Sequence, residues 1–298
     1  MNAPATSRQA KPTLRQRSRS TLSAISTPFR QNRLMLVGIA LIVFMVAMTI
    51  FAPWLSPYSP IAQTQERLAS PSLEHPMGTD QLQRDLFSRV IHGGKVPLQV
   101  AVLSVLLALT AGSMLGWISG FAGGLVDRIM ALLMDALYSF PGLILALALI
   151  SVFGRGVLPM VMAVTVIYIP TYFRVVRGQV FQIREMEYVE AARALGYRWI
   201  RTLLRHIAPN TLSSMLVIVP FNLADAILIE AGLSFLGFGI QPPTPDWGFD
   251  ISNGQDFLLS GHWWLVTFPG LMIILISLGF GMLGEGISDW LNPRRSRS

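Results

Sequence analysis

Apolar residues in this chain come in long unbroken runs, not in the alternating or one-faced patterns of a soluble domain. Six stretches approach or exceed the about 20 residues that a helix needs to cross a bilayer core about 30 Å thick. They are Leu34–Leu55, Pro97–Gly120, Ile129–Ile150, Val157–Phe173, Thr211–Leu233 and Trp263–Leu283. The third and fifth carry Asp135, Pro141, Asp225 and Glu230, so they are expected to face protein or a cavity, not lipid. Pro141 and Pro170 are expected to kink their spans. Asp80–Ile91 places Leu82, Leu86, Phe87 and Val90 at helical spacing; this pattern predicts a helix on the membrane surface or over the second span.

The connection from Arg174 to Pro209 is too polar to cross a membrane. Within it, Glu185–Leu195 consists of strong helix formers, with Tyr188, Ala191, Ala192 and Leu195 on one stripe. Glu190 and Arg193 can pair on another face, and Glu185 and Glu187 suit the positive end of the helix dipole. Gly196 is placed as a C-terminal stop. A second short helix is predicted over Arg198–His206, after which Pro209 can open the fifth span. Such a helix either lies on lipid headgroups or docks another protein. The small residues of its stripe favour docking, because they bury little in lipid but admit another backbone.

Charge sets the orientation. Seven Lys or Arg precede the first span, one sits in the second connection, seven lie between the fourth and fifth spans, and three close the tail, making 18 on one side. The other side has five: Arg67, Arg84, Arg89, Lys95 and Arg155. The positive-inside rule therefore places both termini in the cytoplasm. The first stretch is too long for a signal-peptide core and lacks a small-x-small cleavage pattern, so it is read as an uncleaved span. Residues 1–33 form a basic tail expected to be disordered near anionic lipid. Residues 34–55 are the first span, 56–96 an external segment, 97–293 a five-span core and 294–298 a second basic tail.

Composition agrees. Of 298 residues 52% are hydrophobic and only 13% charged, with a mean hydropathy of +0.52. A soluble domain carries about 25% charged residues. The formal charge of +7 reports topology here, not nucleic-acid binding. There is no cysteine, and the four histidines show no metal-ligand spacing. No G-x-x-x-x-G-K-[ST] cradle and no G-x-S-x-G are present, so the chain offers neither its own ATP site nor a catalytic centre.

Glu190-Ala-Ala-Arg-Ala-Leu-Gly196 with Pro209 downstream resembles the cytoplasmic signature of bacterial ABC importer permeases. Ala208 stands where that pattern has Leu. His75-Pro-Met-Gly-Thr-Asp80, Arg84-Asp85, Ser88-Arg89, Ser139-Phe-Pro141, Leu233-Ser-Phe-Leu-Gly237 and Gln241-Pro-Pro-Thr-Pro-Asp-Trp-Gly248 are similar to the dipeptide/oligopeptide/nickel subfamily, specifically its second permease. The resemblance spans about residues 34–293. Gln83 replaces a glycine common there, and Asp225 a small neutral residue.

The resemblance implies an all-α type I importer permease in the bacterial cytoplasmic (inner) membrane. It implies a heterodimer with a second homologous permease, two cytoplasmic ATPases that bind ATP and Mg, and an extracytoplasmic binding protein that delivers di- or oligopeptides. The coupling helix is 187–196, with Glu187, Tyr188, Glu190, Ala191, Ala192, Leu195, Gly196 and Pro209 as its coupling residues. Asp135 and Asp225 are candidate pathway residues. Asp135, placed near mid-depth, can alternatively pair with a basic residue of the second permease or with backbone donors near Pro141. Glu230 is expected to hold the Leu233–Gly237 turn. In the outer loop Gly239–His262, which lacks Lys and Arg, Asp246, Trp247 and Asp250 are candidate contacts for the binding protein. Trp247 and Trp263 alternatively form an interfacial belt. The competing functional reading is an ion-coupled carrier using intramembrane carboxylates; a scaffold subunit without a pathway is another.

Overall fold

The computed structural model describes residues 33–197 and 199–291. Both basic tails, residues 1–33 and 294–298, lie outside that range except for Arg33. Among the described residues all regular structure is helical, apart from two isolated bridges, Gln63 with Arg84 and Thr79 with Asp85. The helices are α1 (Arg33–Ile50), α2 (Ala52–Leu55), α3 (Leu86–Gly93), α4 (Lys95–Ala122), α5 (Gly124–Tyr138), α6 (Gly142–Phe153), α7 (Val157–Ile183), α8 (Glu187–Ala194), α9 (Trp199–Thr202), α10 (Ala208–Phe235), α11 (Trp247–Gly254) and α12 (Trp264–Leu291).

Five helices are long and apolar enough to cross a membrane: α1, α3 with α4, α7, α10 and α12. The third expected span is not one helix. It breaks at Pro141 into α5 and α6, which meet at 94°. Proline cannot donate its backbone N–H and disfavours helix in the residue before it, so Ser139-Phe140-Pro141 becomes a corner. Pro170, by contrast, lies inside a continuous α7. That helix also runs ten residues beyond the expected end at Phe173, which carries Arg174 and Arg177 on a rigid element.

Two further expectations are corrected. The stretch Arg198–His206 is helical from Trp199, as expected, but it does not stand apart from α10. Trp199–Thr202 passes through a π-helical turn, Leu203–Ile207, directly into α10. The amphipathic stretch Asp80–Ile91 is helical only from Leu86, where Asp85 caps α3 by accepting from the Ser88 amide at 2.8 Å. Leu82 is exposed in the preceding turn, while Leu86, Val90 and Ile91 are buried.

The most extensive helix pairing is α4 with α7. Its cause is a small-residue stripe at every fourth position of α4: Ser104, Ala108, Gly112, Gly116, Gly120. A Cβ on Gly112 would come within 2.6 Å of the Ile169 carbonyl, and one on Gly116 within 2.9 Å of the Phe173 carbonyl. Between apolar helices in lipid no hydrophobic force remains, so close packing across small residues holds them. Around this pair a core forms from Val100, Val105, Met160, Val164, Tyr172 and Ile227, closed on the outer side by Trp247. Helix α1 packs on α12, where Gly38 faces Gly279.

Candidate functional site

Three regions bear on function: an arginine-rich side, a groove within the span region, and a polar cap on the opposite side.

On the arginine-rich side α8 is held by a buried valine and by a hydrogen bond to α10. Val189 is fully buried in a cluster with Val176, Val180, Ile183, Leu203, Ile207 and Met215. Several of its other described residues are exposed. Glu187, Glu190, Ala191 and Leu195 are exposed, Leu195 at 79%, and Tyr188 at 43%. The Tyr188 hydroxyl accepts from Asn210 Nδ2 at 3.2 Å, tying the helix to the start of α10. Gly196 ends the helix at φ +77°, with nothing within 4 Å of where a Cβ would stand. Only glycine adopts that backbone freely. Pro209 is exposed in the first turn of α10. Ala192 lies within α8, but its side chain, like those of Arg193 and His206, lies outside the described set. The anchor Val189 escaped the sequence reading because it lies off the Tyr188–Ala191–Ala192–Leu195 stripe.

Two ion pairs join α5 to α7. Arg177 holds Asp127 through both its Nε and Nη2, and Asp127 also accepts from Ser119 at 2.6 Å. Arg174 holds Asp135 at 2.7 Å. This corrects the placement of Asp135 at mid-depth. At 1.5 Å per residue, Arg174 stands roughly 26 Å along α7 from its Val157 end, so the pair belongs to the arginine-rich side. The Asp135 side chain is 62% exposed and its partner is in its own chain.

The groove lies between the α5–α6 corner, α7 and α10. Its volume is about 450 Å³. Tyr138, Phe140, Tyr168, Thr171, Asn222 and Asp225 are among its walls. The Tyr168 hydroxyl donates to Asp225 Oδ2 at 2.7 Å. Of the two carboxylates expected to line a pathway, the structure puts Asp225 in this groove and Asp135 beside its rim, where Arg174 lies over the Tyr138 ring at 3.9 Å. The aromatic and hydroxyl members of the groove were invisible in the sequence, since they come from three separated segments.

The polar cap explains the Gly-Thr-Asp region. Asp80 accepts from the amides of Leu82 and Arg84 at 2.8 Å and from Arg84 Nε at 2.6 Å. His75 Nδ1 lies 2.8 Å from Asp85. Arg89, fully buried, donates to Asp250 from Nη2 at 2.6 Å and to the Pro60 carbonyl at 3.1 Å. Gln83 sits at φ +64°, the left-handed conformation that a glycine would adopt at less cost.

The expectation that Asp246, Trp247 and Asp250 form an exposed contact surface is overturned by their burial. Asp246 and Trp247 have no exposure and Asp250 has 7%. Asp246 caps α11 by accepting from the Phe249 amide at 2.9 Å. Trp247 packs on Gly93 and Gly94 and donates its indole N–H to the Val90 carbonyl at 2.7 Å. Asp250 receives Arg89. Burial pushes the Asp246 carboxyl above its ordinary range. It faces the buried Glu230, which accepts from Ser234 at 3.0 Å as part of the expected turn anchor. The exposed residues of this outer loop are instead Gln241–Thr244 and, at the tip, Gln255, Asp256, Leu258, Leu259, Ser260 and Gly261.

Comparisons with known proteins show the family of the chain. Residues 112–297 match the family described as binding-protein-dependent transport system inner membrane component, and residues 24–73 match the N-terminal TM domain of oligopeptide transport permease C. The chain is 38% identical over 267 residues to the dipeptide transport system permease protein of Alkalihalophilus pseudofirmus, covering 89% of this chain and 87% of that one. It is 38% identical to a probable D,D-dipeptide transport system permease of Escherichia coli K12, covering 85% of each. It is 35% identical to a glutathione transport system permease of Escherichia coli O6, covering 89% and 88%. A chain from inward-facing structures of the MetNI methionine ABC transporter shares the fold, with a TM-score of 0.54 at 17% identity over 69% of this chain and 97% of that one. Long apolar helices, small-residue packing and the matched sequence together make this multi-pass chain a member of the inner-membrane permease family of binding-protein-dependent ABC importers.

Proposed function

We propose that this chain forms half of the translocation pathway for di- or oligopeptides in the bacterial inner membrane. A second homologous permease supplies the other half. An external binding protein delivers the solute, and two cytoplasmic ATPases, which bind ATP and Mg, drive transport. The observation that carries this reading is α8: an eight-residue helix fixed by Val189 and the Tyr188–Asn210 bond, with Glu187, Glu190, Ala191 and Leu195 bare. A helix anchored on one side and uncovered on the other suits a separate protein. Because α8 lies between α7 and the continuous α9–α10 rod, a push on it moves both. The peptide class is supported by the relatives named for dipeptide transport at 36–38% identity.

The test is uptake of a labelled dipeptide into proteoliposomes holding the full complex and binding protein, with ATP inside. Uptake is expected to need ATP and to survive an ionophore; the reverse pattern would support an ion-coupled carrier and refute the reading. Gly196→Leu, which meets no steric obstacle but must adopt φ +77°, is expected to leave insertion intact and to separate ATP hydrolysis from uptake.

A further inference from the structure

We propose that Asp225 is the counter-ion for an ammonium group on the solute in transit, and that Tyr168 positions it. This rests on the reading of the chain as a peptide permease and goes beyond it by assigning the solute's charge to one carboxylate. Asp225 stands roughly 15 Å from the Phe235 end of α10, well inside the apolar span. A carboxylate at that depth is costly unless it is paired or wet.

The other acids nearby are accounted for. Asp127 and Asp135 of α5 each hold an arginine of α7. Glu230 of α10 bonds Ser234 and faces Asp246. Asp225 differs: among the described residues its carboxylate accepts from the Tyr168 hydroxyl and has no Lys or Arg within ion-pair distance. It is exposed to the groove, while Tyr168 is only 4% exposed and backs it. The phenol O–H engages Oδ2 and fixes the carboxylate's orientation, which leaves Oδ1 for a ligand.

The surroundings suit a cation. Tyr138 and Phe140 contribute aromatic rings to the walls; ring faces attract cations, and Tyr138 already carries the Arg174 guanidinium on one. Thr171 and Asn222 add neutral polar groups beside the carboxylate. A volume of about 450 Å³ falls in the size range of small-molecule sites. At the rim Arg174 lies over Tyr138 at 3.9 Å but is paired with Asp135 at 2.7 Å, so among the described residues the unpaired charge of the groove is that of Asp225.

Equilibrium dialysis of the permease–ATPase complex without binding protein tests this, using radiolabelled Ala-Ala and N-acetyl-Ala-Ala as probes. The wild-type complex is expected to retain Ala-Ala at least tenfold better than its acetylated form. Asp225→Asn is expected to abolish that preference and Asp225→Glu to restore part of it. Tyr168→Phe is expected to weaken retention of Ala-Ala several-fold while keeping the preference over the acetylated probe, as the carboxylate loses the donor that holds it in place. Equal retention of the two probes by the wild type, retention of neither, or an unchanged preference in Asp225→Asn overturns the proposal. So does dissociation of the second permease in Asp225→Asn, since Asp225 would then be pairing with that subunit. Normal ATP-driven uptake alongside a failed dialysis result would sink this assignment and leave the peptide-permease reading standing. Loss of peptide uptake by the wild type would sink both.

Discussion

Replacing Arg89 with methionine removes the cation from the centre of the polar cap and leaves its neighbours in place. Arg89 has no exposure, and its guanidinium donates to Asp250 from Nη2 at 2.6 Å and from Nε at 3.1 Å, and to the Pro60 carbonyl at 3.1 Å. Asp80 lies 3.9 Å away, but it keeps Arg84 at 2.6 Å. The stranded group is therefore Asp250, with 7% exposure. Breaking a buried pair from one side costs about 3–5 kcal/mol, because the remaining charge has lost its compensation. Methionine fills most of the arginine stem, which keeps the cavity contribution small. The Asp250→Asn partner change removes the charge but keeps the shape, and is expected to cost less. In the double variant no buried charge is left unpaired, so its loss should fall well short of the sum. The assay is a double-mutant cycle on the purified complex, followed by thermal unfolding in detergent. At about 2–4 °C per kcal/mol for chains somewhat shorter than this one, Arg89→Met alone should lower the midpoint by on the order of 5–10 °C. A shift of about 1 °C, or losses that simply add, would refute the view that Arg89 and Asp250 form a coupled pair joining α3 to α11.

Three other expectations follow from particular residues. Gln83→Gly relieves a left-handed backbone at φ +64°. The strain is about 1–2 kcal/mol and the added chain entropy up to about 1 kcal/mol, so the midpoint should rise slightly or stay level; a clear drop would show that the Gln83 side chain is needed. Val189→Ala removes two methyl groups from a site with no exposure. At about 0.8 kcal/mol each plus a cavity penalty, about 2 kcal/mol is lost from the α8 anchor, so ATP-driven uptake should fall while the exposed face of α8 is unchanged; full uptake would exclude the anchor role. Asp246→Asn tests the buried carboxyl. A folded value raised by burial contributes stability below the ordinary carboxylate range and loses it as pH rises through the raised value. Asparagine still caps α11 but does not titrate, so the variant should gain on the wild type as pH rises from 4 to 8; parallel midpoint-against-pH curves would contradict this.

The amino-acid sequence by itself determined the class of molecule and most of its frame. Runs of apolar residues longer than a bilayer core leave little choice but helices that satisfy their own backbone bonds. α1, α4, α7, α10 and α12 accordingly stand near their expected places. The α8 helix with Gly196 after it was legible for the same local reason, since helix formers followed by glycine act within one or two turns.

What depended on distant partners was not legible. Asp135 looked like a mid-membrane carboxylate until the extension of α7 past Phe173 brought Arg174 beside it. Asp246, Trp247 and Asp250 looked like surface residues because acidic loops usually are. Their burial depends on Gly93 and Gly94 admitting the indole and on Arg89, 161 positions before Asp250 in the chain, supplying the charge. The Tyr168–Asp225 groove exists only where four helices converge. Hydropathy is a property of each segment and can be summed along the chain. Which carboxylate is paired, buried or open to a solute depends on side chains from other segments within a few ångströms, and only the packed structure decides that.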